Sequence, residues 1–210
     1  MLKTISLTTL GLSNLLFVSN TFATTGGPQE IEILGYEAVK EHKLYVLRYF
    51  VDESGRLPQL YYYAMDAKSP DKRVEVQSLY INPETHQKDL EQDSEKFESE
   101  LAKIQKRLVP LIADDRNIAK IVILNTKTHQ VKAPYDEHKK ITQYTITYQV
   151  INNQYKSAIQ TAVAYNPKLT ISQNFIIPNQ DKKIVVVKYF GIPVETGYSI
   201  EDPVLLLPKK

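Results

Sequence analysis

The sequence predicts a mainly β fold, an antiparallel sheet of sandwich- or propeller-like form, with one amphipathic helix at about residues 90–109. Tyrosine is abundant, at fourteen residues, whereas glycine is scarce and tryptophan is absent. Tyrosine and β-branched residues suit a pleated, half-buried surface, so this composition favours strands. Between residues 143 and 150 the chain also alternates strictly between apolar and polar positions, with Tyr144, Ile146, Tyr148 and Val150 on one side. This period of two is typical of a strand with one buried face.

About nine strands are predicted from such patterns. Gly55 and Pro58 mark the turn of an N-terminal hairpin, and Asn152 with Asn153 supplies residues that tolerate positive φ in a tight turn. The predicted strands cover residues 43–51, 59–65, 74–80, 118–124, 143–150, 157–165, 169–177, 183–190 and 203–207.

One segment has helical rather than strand periodicity. Its apolar residues are Leu90, Phe97, Leu101, Ile104 and Leu108, and their spacings place them on one face of an α-helix. Asp89 and Gln92 resemble a capping pair at the start, and Pro110 marks the end, give or take a turn. We therefore expect a helical segment within about residues 89–112.

The first 23 residues have the pattern of a cleavable secretory signal. Lys3 supplies a positive start, an apolar stretch follows between Leu7 and Val18, and Thr21 and Ala23 place small residues at the −3 and −1 positions of a cleavage site. An uncleaved N-terminal anchor is the alternative. The remaining residues, 24–210, are of a length that favours a single domain. We expect that domain in the periplasm.

Composition excludes several classes of protein. The chain has no cysteine, so it forms no disulfide and carries no cysteine-linked lipid. Removal of the signal removes Lys3 and leaves 25 of the 26 basic residues with 24 acidic ones, a net charge near +1. A charge this small does not favour binding to nucleic acid. No segment after the signal approaches the roughly 18 consecutive apolar residues of a membrane-spanning helix. No cofactor motif is present, and none is expected.

Two predicted strands resemble each other. Residues 43–50 and 183–190 share lysine, valine, tyrosine and phenylalanine at equivalent positions, and both run into loops that contain glycine and proline. Two buried strands of one sheet converge on such compositions, which is the simpler explanation. The other is a duplicated or propeller-like β unit, although two copies establish no period.

The N-terminal part carries an ordered pattern of aromatic strands and a turn-rich loop. It comprises Gly35-Tyr36, the strand from Tyr45 to Tyr49, the loop from Asp52 to Gly55, Pro58, and the strand from Tyr61 to Asp66. This pattern resembles the opening of a family of predicted secreted bacterial proteins that is known only as a domain of unknown function. Gly197-Tyr198 and the closing apolar strand are compatible with it, although both loops have fewer glycines here. The resemblance implies an exported β-rich protein and no known activity.

Asp136, Glu137 and His138 are the one place where three potential metal ligands are adjacent. Neighbouring residues of an extended chain point in alternating directions, so Asp136 and His138 are the weak candidates for one ion, with a further ligand such as His129 required. Pro134 before this segment and Lys139 and Lys140 after it favour a solvated loop, which is the preferred interpretation, and no metal site is predicted.

Tyr61, Tyr62 and Tyr63 are the candidate binding residues. In a strand, Tyr62 points opposite to its two neighbours, so one ring at least should reach the outer face, where it could stack on a sugar or grip a peptide. Alternatively, two rings fill the core and the third packs under a loop or the helix. Ser54 lacks the Gly-x-Ser-x-Gly context of a nucleophile and is expected to be a turn residue.

These features predict an exported periplasmic protein that binds an envelope component or another protein without catalysing a reaction. The alternative is an envelope hydrolase whose Asp, Glu or His residues come together only in the fold. The chain contains none of the standard nucleophile, metal or phosphate-binding motifs, which favours the first of these.

Overall fold

A computed structural model describes residues 27–51, 55–82, 84–91, 94–115, 119–193 and 197–209. Over these residues the prediction of a mainly β protein with a single α-helix is confirmed. The strands are β1 (Gln29–Glu37), β2 (Lys43–Phe50), β3 (Gln59–Ala64), β4 (Arg73–Glu75), β5 (Ile112–Ala113), β6 (Lys120–Ala133), β7 (Asp136–Ile151), β8 (Tyr155–Ser157), β9 (Gln160–Ala164), β10 (Leu169–Ile176), β11 (Lys183–Ile192) and β12 (Tyr198–Pro208). The helices are a 3-10 turn (Gln77–Tyr80) and α1 (Ser94–Gln105).

All twelve strands join one hydrogen-bonded sheet rather than the separate blades of a propeller. Its main path runs β4-β3-β2-β1-β12-β11-β10-β5. The pairs are antiparallel except between β1 and β12, which are parallel and meet at Gln29 and Ile200. Strand β7 lies off this path and pairs with β6, β8 and β9, and β8 in turn pairs with the end of β12. The sheet is therefore open and branched.

The main sheet curls, because strands from its two halves pack against each other through one face. Leu44 and Val46 of β2 and Tyr63 of β3 share a buried cluster with Ile184 and Val186 of β11. These strands are three to four positions apart along the path, so their side chains meet only if the sheet bends back on itself. A right-handed strand twist produces such a curl.

The outer face of the curl is covered at both ends. On β2 and β3, Tyr45, Leu47 and Leu60 pack under the helix and the 3-10 turn. On β11 and β12, residues of the opposite parity, such as Val185 and Leu206, pack against the layer formed by β6, β7 and β9. This second contact is sandwich-like, which is part of the predicted form.

The helix is shorter than predicted at both ends. It spans Ser94–Gln105 and buries Phe97, Leu101 and Ile104. Leu90 and Leu108 lie outside it but pack against the same cluster, which explains why they fit the helical period. The segment before it is extended, since Asp89 N and Leu57 N form inter-segment hydrogen bonds to Tyr80 O and Leu90 O. Gln92 lies outside the described residues.

The predicted strand at 74–80 is wrong over its second half. Strand β4 ends at Glu75, and the chain then turns through the 3-10 helix, which buries Leu79 and Tyr80. The Tyr80 hydroxyl donates to Pro58 O and accepts a bond from Leu60 N. A tyrosine bound in this way fixes the turn against β3.

The predicted loop at 134–140 is also wrong, because two long strands extend into it. β6 and β7 form a hairpin that pairs from Lys120 with Ile151 out to Ala133 with Asp136. The predicted return strand at 157–165 is split into β8 and β9, and β1 was not predicted as a strand. Asn152 does form the predicted turn, where its side-chain oxygen accepts from Gln154 N and Tyr155 N, without a positive φ.

The two similar sequence segments are β2 and β11. Each is the middle strand of a three-stranded meander, β1-β2-β3 and β10-β11-β12, and both meanders run across the sheet in the same direction. Each first strand carries a register shift, near Gly35 in β1 and near Ser172 in β10. The equivalent placement is what a duplicated unit would give, while burial of both strands also accounts for their composition.

No helix among the described residues has the length and apolar character needed to cross a membrane. The proposed signal segment, residues 1–23, lies outside the described part of the chain.

Candidate functional site

The far half of the β6–β7 hairpin is held by few interactions outside itself. We call residues 125–143 the outer hairpin. Every residue of β6 from Ile123 to Gln130 is exposed, and so are Asp136 to Lys140 of β7. The strands turn through Pro134 and Tyr135, which follow a register shift at Ala133. β9 pairs with β7 only as far as Tyr144, so the outer hairpin extends beyond the sheet.

One edge of this hairpin is open. Among the described residues β6 pairs with β7 on one side and has no strand on the other. Edge strands of this length are commonly protected by bulges and by charged side chains. Here Leu124 forms a bulge, and Lys127 and Lys132 supply the charges. These features discourage self-association, yet they leave the main-chain groups of residues 125–131 accessible to a chosen partner.

The outer hairpin is basic. It carries four lysines (Lys127, Lys132, Lys139 and Lys140) and two histidines against Asp136 and Glu137, and β6 itself has no acidic residue. The Lys139 ammonium lies 5.6 Å from the centre of the Tyr135 ring at the tip. An exposed aromatic residue among lysines is a suitable contact for an acidic partner.

The weak metal candidates lie at the start of β7 and do not converge. Asp136 Oδ1 accepts a hydrogen bond from His138 N at 3.0 Å, and His138 Nε2 lies 3.5 Å from Glu137 Oε1. His129 pairs with Gln143, four residues before the Ala133–Asp136 pair and hence about 13 Å along the strand. Within the described residues, no group of three Asp, Glu or His side chains is arranged to hold a metal ion.

The three tyrosines of β3 take different environments. Tyr63 is buried, and its hydroxyl donates to Pro203 O at 2.8 Å, across the curl. Tyr62 is half-buried and lies 6.0 Å from the Tyr45 ring, with Lys43 Nζ above its face. Tyr61 is also half-buried and donates to Gln59 Oε1. Tyr63 therefore fills the core, whereas Tyr61 and Tyr62 each remain partly accessible, and a binding role for these tyrosines stays a prediction.

A charged cluster that the sequence did not reveal lies where β2 approaches β12. Asp202 Oδ1 accepts from Arg48 at 2.6 Å, and Asp202 Oδ2 accepts from the Tyr189 hydroxyl at 2.7 Å. Arg48 also donates to Gln29 Oε1, and Arg73 is 3.6 Å from Asp202 Oδ1. A single arginine in the apolar run of β2 was the signal that could have indicated this cluster.

The neighbouring Glu201 completes the join between β1 and β12. β1 and β12 pair at Gln29 and Ile200. Two residues further along β1, Ile31 N donates a hydrogen bond to the Glu201 carboxylate at 3.0 Å. Lys188 lies 3.6 Å from the other oxygen. The side chain thus replaces a strand partner for a backbone N–H that would otherwise be buried without one.

These groups are poorly suited to acid–base chemistry at neutral pH. Burial is the main cause that raises the pKa of Tyr189, with the Asp202 charge adding to it. Burial likewise raises the pKa of Tyr63 and of Tyr148. Such hydroxyls stay protonated, and both oxygens of Asp202 are already hydrogen-bonded. The cluster is accounted for by its role in holding the curl, and the hydrolase alternative stays a prediction.

A small cavity adjoins this cluster on the side of β4 and β9. Its volume is about 80 Å³, and it is lined by Tyr63, Asp71, Arg73, Tyr148, Thr161 and Asp202, among others. A shallower groove of about 480 Å³ runs along the edge strand β5 and the bulge of β10, beside Asp114 and Ser172. Polar side chains converge in the first of these, whereas the groove is open and mostly apolar.

Comparisons with protein-family models, with curated proteins and with solved structures found no match to this chain. The resemblance to the secreted family of unknown function stays a prediction.

Proposed function

We propose that this chain is an exported, non-catalytic binding protein of the bacterial envelope, and that it binds an extended acidic segment of a partner protein along β6. One observation carries the proposal. β6 is a strand of fourteen residues that, within the described structure, is paired on one side only and contains no acidic residue.

The chemistry of such an edge suits strand addition. An edge strand offers a row of unpaired N–H and C=O groups, and an incoming extended peptide satisfies them in register. Backbone bonds supply affinity in this mode, and alternate side chains supply specificity. Lys127 and His129 share one face of β6 and would meet carboxylates on that face of the added strand, whereas Lys132 lies on the opposite face.

Charge also argues against a second copy of this chain as the occupant. Two β6 edges placed side by side would bring lysines and histidines of one copy near those of the other. Like charges across neighbouring strands are destabilising. A partner with alternating acidic residues removes this repulsion and gains favourable pairs instead.

Titration with model peptides tests the proposal. The probe is a fluorescent eight-residue peptide that alternates glutamate with valine, and its anisotropy should rise saturably on addition of the protein. A matched peptide with lysine for glutamate should bind at least tenfold more weakly. A glutamate peptide N-methylated at alternate residues should also fail, because it cannot complete the backbone ladder. Equal binding of all three peptides would contradict strand addition.

Variants of the protein separate the edge from general charge. Lys127→Glu should weaken binding of the glutamate peptide by about three- to tenfold, given about 1 kcal/mol per cross-strand charge pair. Lys132→Glu, whose side chain lies on the opposite face of β6 and so meets the valines, should weaken it less. Lys168→Glu is the control, because Lys168 is equally exposed but lies in the turn before β10. An equal loss in all three variants would mean that only net charge matters.

We propose export on the pattern of residues 1–23, with cleavage after Ala23. The intact mass of the protein from an osmotic-shock fraction should correspond to a chain that begins at Thr24. Thr21→Lys should block processing, because the peptidase accepts small residues at that position. Recovery of the full-length chain in the membrane pellet would instead support the uncleaved anchor.

A further inference from the structure

We propose that the cavity beside Arg73 is a binding site for a small zwitterion, of the class of a free α-amino acid such as glycine, alanine or serine. The site is separate from the outer hairpin. It lies between β3, β4, β7, β9 and β12, where the curl of the main sheet meets the covering layer.

Two hydrogen-bond donors that line this cavity donate no hydrogen bond to a described residue. Tyr148 is only 1% exposed, yet its hydroxyl forms no hydrogen bond with any described residue. Buried hydroxyls almost always have a partner. Arg73 donates no hydrogen bond within the described structure either, and its nearest carboxylate oxygen, Asp202 Oδ1, is 3.6 Å away and already bound to Arg48. Among the described residues, therefore, neither the Tyr148 hydroxyl nor the Arg73 guanidinium is held by a protein hydrogen bond, and both are available to donate to a bound ligand.

One acceptor of the lining is also unused. Asp71 is half-buried, and its carboxylate makes no ion pair or hydrogen bond with another described residue. Asp202 differs, because Arg48 and Tyr189 occupy both of its oxygens. The cavity thus presents a guanidinium and a hydroxyl that can donate to an anionic group, together with a carboxylate that can accept from a cationic one.

A zwitterion satisfies all three groups at once. Its carboxylate would accept from Arg73 and Tyr148, for which the planar guanidinium is well matched, and its ammonium would donate to Asp71. A simple anion would meet repulsion from Asp71, and a simple cation would meet it from Arg73. Pairing both charges offsets the cost of taking each from water.

The volume sets the size of the ligand. Each bound water needs about 10–15 Å³ measured in the same way, so 80 Å³ corresponds to about five to eight heavy atoms. This range includes glycine, alanine and serine and excludes aromatic amino acids, sugars and nucleotides. The Arg73 side chain is 37% exposed, more than that of Asp202, and it marks the entrance.

NMR titration of the ¹⁵N-labelled protein tests the site directly. Glycine, L-alanine or L-serine should shift the amides of Arg73, Tyr148 and Thr161 saturably, in the millimolar range or tighter. Acetate and methylammonium, which each carry one of the two charges, should bind at least tenfold more weakly. Absence of saturable shifts with all three amino acids would overturn the proposal, as would acetate binding as tightly as glycine.

Variants assign the three groups. Arg73→Gln and Asp71→Asn should each weaken glycine binding at least tenfold, since each removes a charged partner. Tyr148→Phe should weaken it severalfold while leaving the unfolding midpoint unchanged or higher, because the hydroxyl has no protein partner to lose. Lys72→Gln is the control, an exposed residue between the two charged ones. Unaltered glycine affinity in Tyr148→Phe, or an equal loss in Lys72→Gln, would contradict the assignment.

Discussion

Strands β11 and β6 differ sharply in burial. The first five residues of β11, Lys183 to Val187, are buried on both faces of the sheet, because the curl covers one face and the β6–β7–β9 layer covers the other. β6 is longer, yet Ala133 is its one buried residue. The comparison separates two roles for the same backbone conformation: β11 holds the fold together, whereas the outer part of β6 is available for binding.

The largest effect is expected at the buried end of β11. Lys183 Nζ forms an ion pair with Asp114, and both side chains are less than one-tenth exposed. Asp114→Asn leaves a buried ammonium without its counter-charge, so we expect the free energy of unfolding to fall by about 3–5 kcal/mol. Urea denaturation of this variant should be compared with that of Asp115→Asn, whose side chain is exposed. Equal stability of the two variants would contradict the importance of this pair.

A slightly smaller effect is expected from a cavity in the contact between layers. Leu206 of β12 is fully buried against β7 and β9. Leu206→Ala should lower the free energy of unfolding by about 2–5 kcal/mol, through lost burial and the cavity left behind. Val163→Ala on the outer face of β9, where the side chain is 44% exposed, should cost less than about 1 kcal/mol. Similar costs at both positions would mean that the layers are not packed as described.

Glu37 gives a pH-dependent contribution of intermediate size. Its carboxylate accepts hydrogen bonds from Glu41 N at 2.5 Å, Lys40 N and Val39 N in the β1–β2 loop. The bond from Glu41 is the main cause that lowers the pKa of Glu37, against the effect of burial. A lowered pKa in the folded state stabilises the protein above the unfolded-state pKa, and this contribution is lost as the pH falls through the folded-state value.

Glu37→Gln should therefore destabilise the protein by about 1–2 kcal/mol at pH 7, and the difference from the native chain should shrink in acid below about pH 4. Thermal unfolding at a series of pH values measures this. Glu30→Gln, at an exposed position of the same strand, is the matched control and should show no such trend. A difference that stays constant from pH 7 to pH 3 would show that the charge is not what the loop requires.

The smallest effect on stability is expected for the outer hairpin itself. Thr128 pairs with Tyr144, so residues 129–143 can be replaced by Asn-Gly, a sequence that favours a two-residue hairpin turn. The retained part of β7 still pairs with β9. We expect the free energy of unfolding to change by less than about 1 kcal/mol, because the removed residues bury little apolar surface. A loss comparable to that of Leu206→Ala would show that the outer hairpin belongs to the fold.

The strands that are buried on both faces were predicted from the sequence more accurately than the exposed ones. Continuous apolar runs are typical of strands buried on both faces, so β2 and β11 were predicted nearly to the residue. The outer part of β6 reads Thr-Lys-Thr-His-Gln, with no apolar period, and only its first few residues were predicted as strand. β1 was missed although Glu30 to Ile33 alternate between polar and apolar residues, because this alternation covers only four residues before Leu34 and Gly35 break it. Both segments are strands because they pair with a neighbouring strand, β1 with β2 and β6 with β7. The sequence of one segment alone does not show which other segment it will pair with.

The sites were less predictable still. The three tyrosines are adjacent in sequence and were noticed for that reason, yet Tyr63 fills the core. Arg73 and Tyr148 are 75 residues apart in the chain, and Asp202 follows a further 54 residues later. They meet because the curl brings β4 and β12 beside β7, and this depends on the tertiary structure rather than on any local pattern.

Amide hydrogen exchange of β6, with and without the alternating glutamate–valine peptide, tests the central claim most directly. Free, the amides of residues 125–131 that face away from β7 should exchange rapidly, because they lack partners, while those of Val185 to Val187 stay protected. Saturating peptide should slow exchange at alternate residues of this stretch of β6 and leave β11 unchanged. Unaltered exchange along β6 in a sample that binds the peptide would contradict the account, because the peptide would then bind elsewhere.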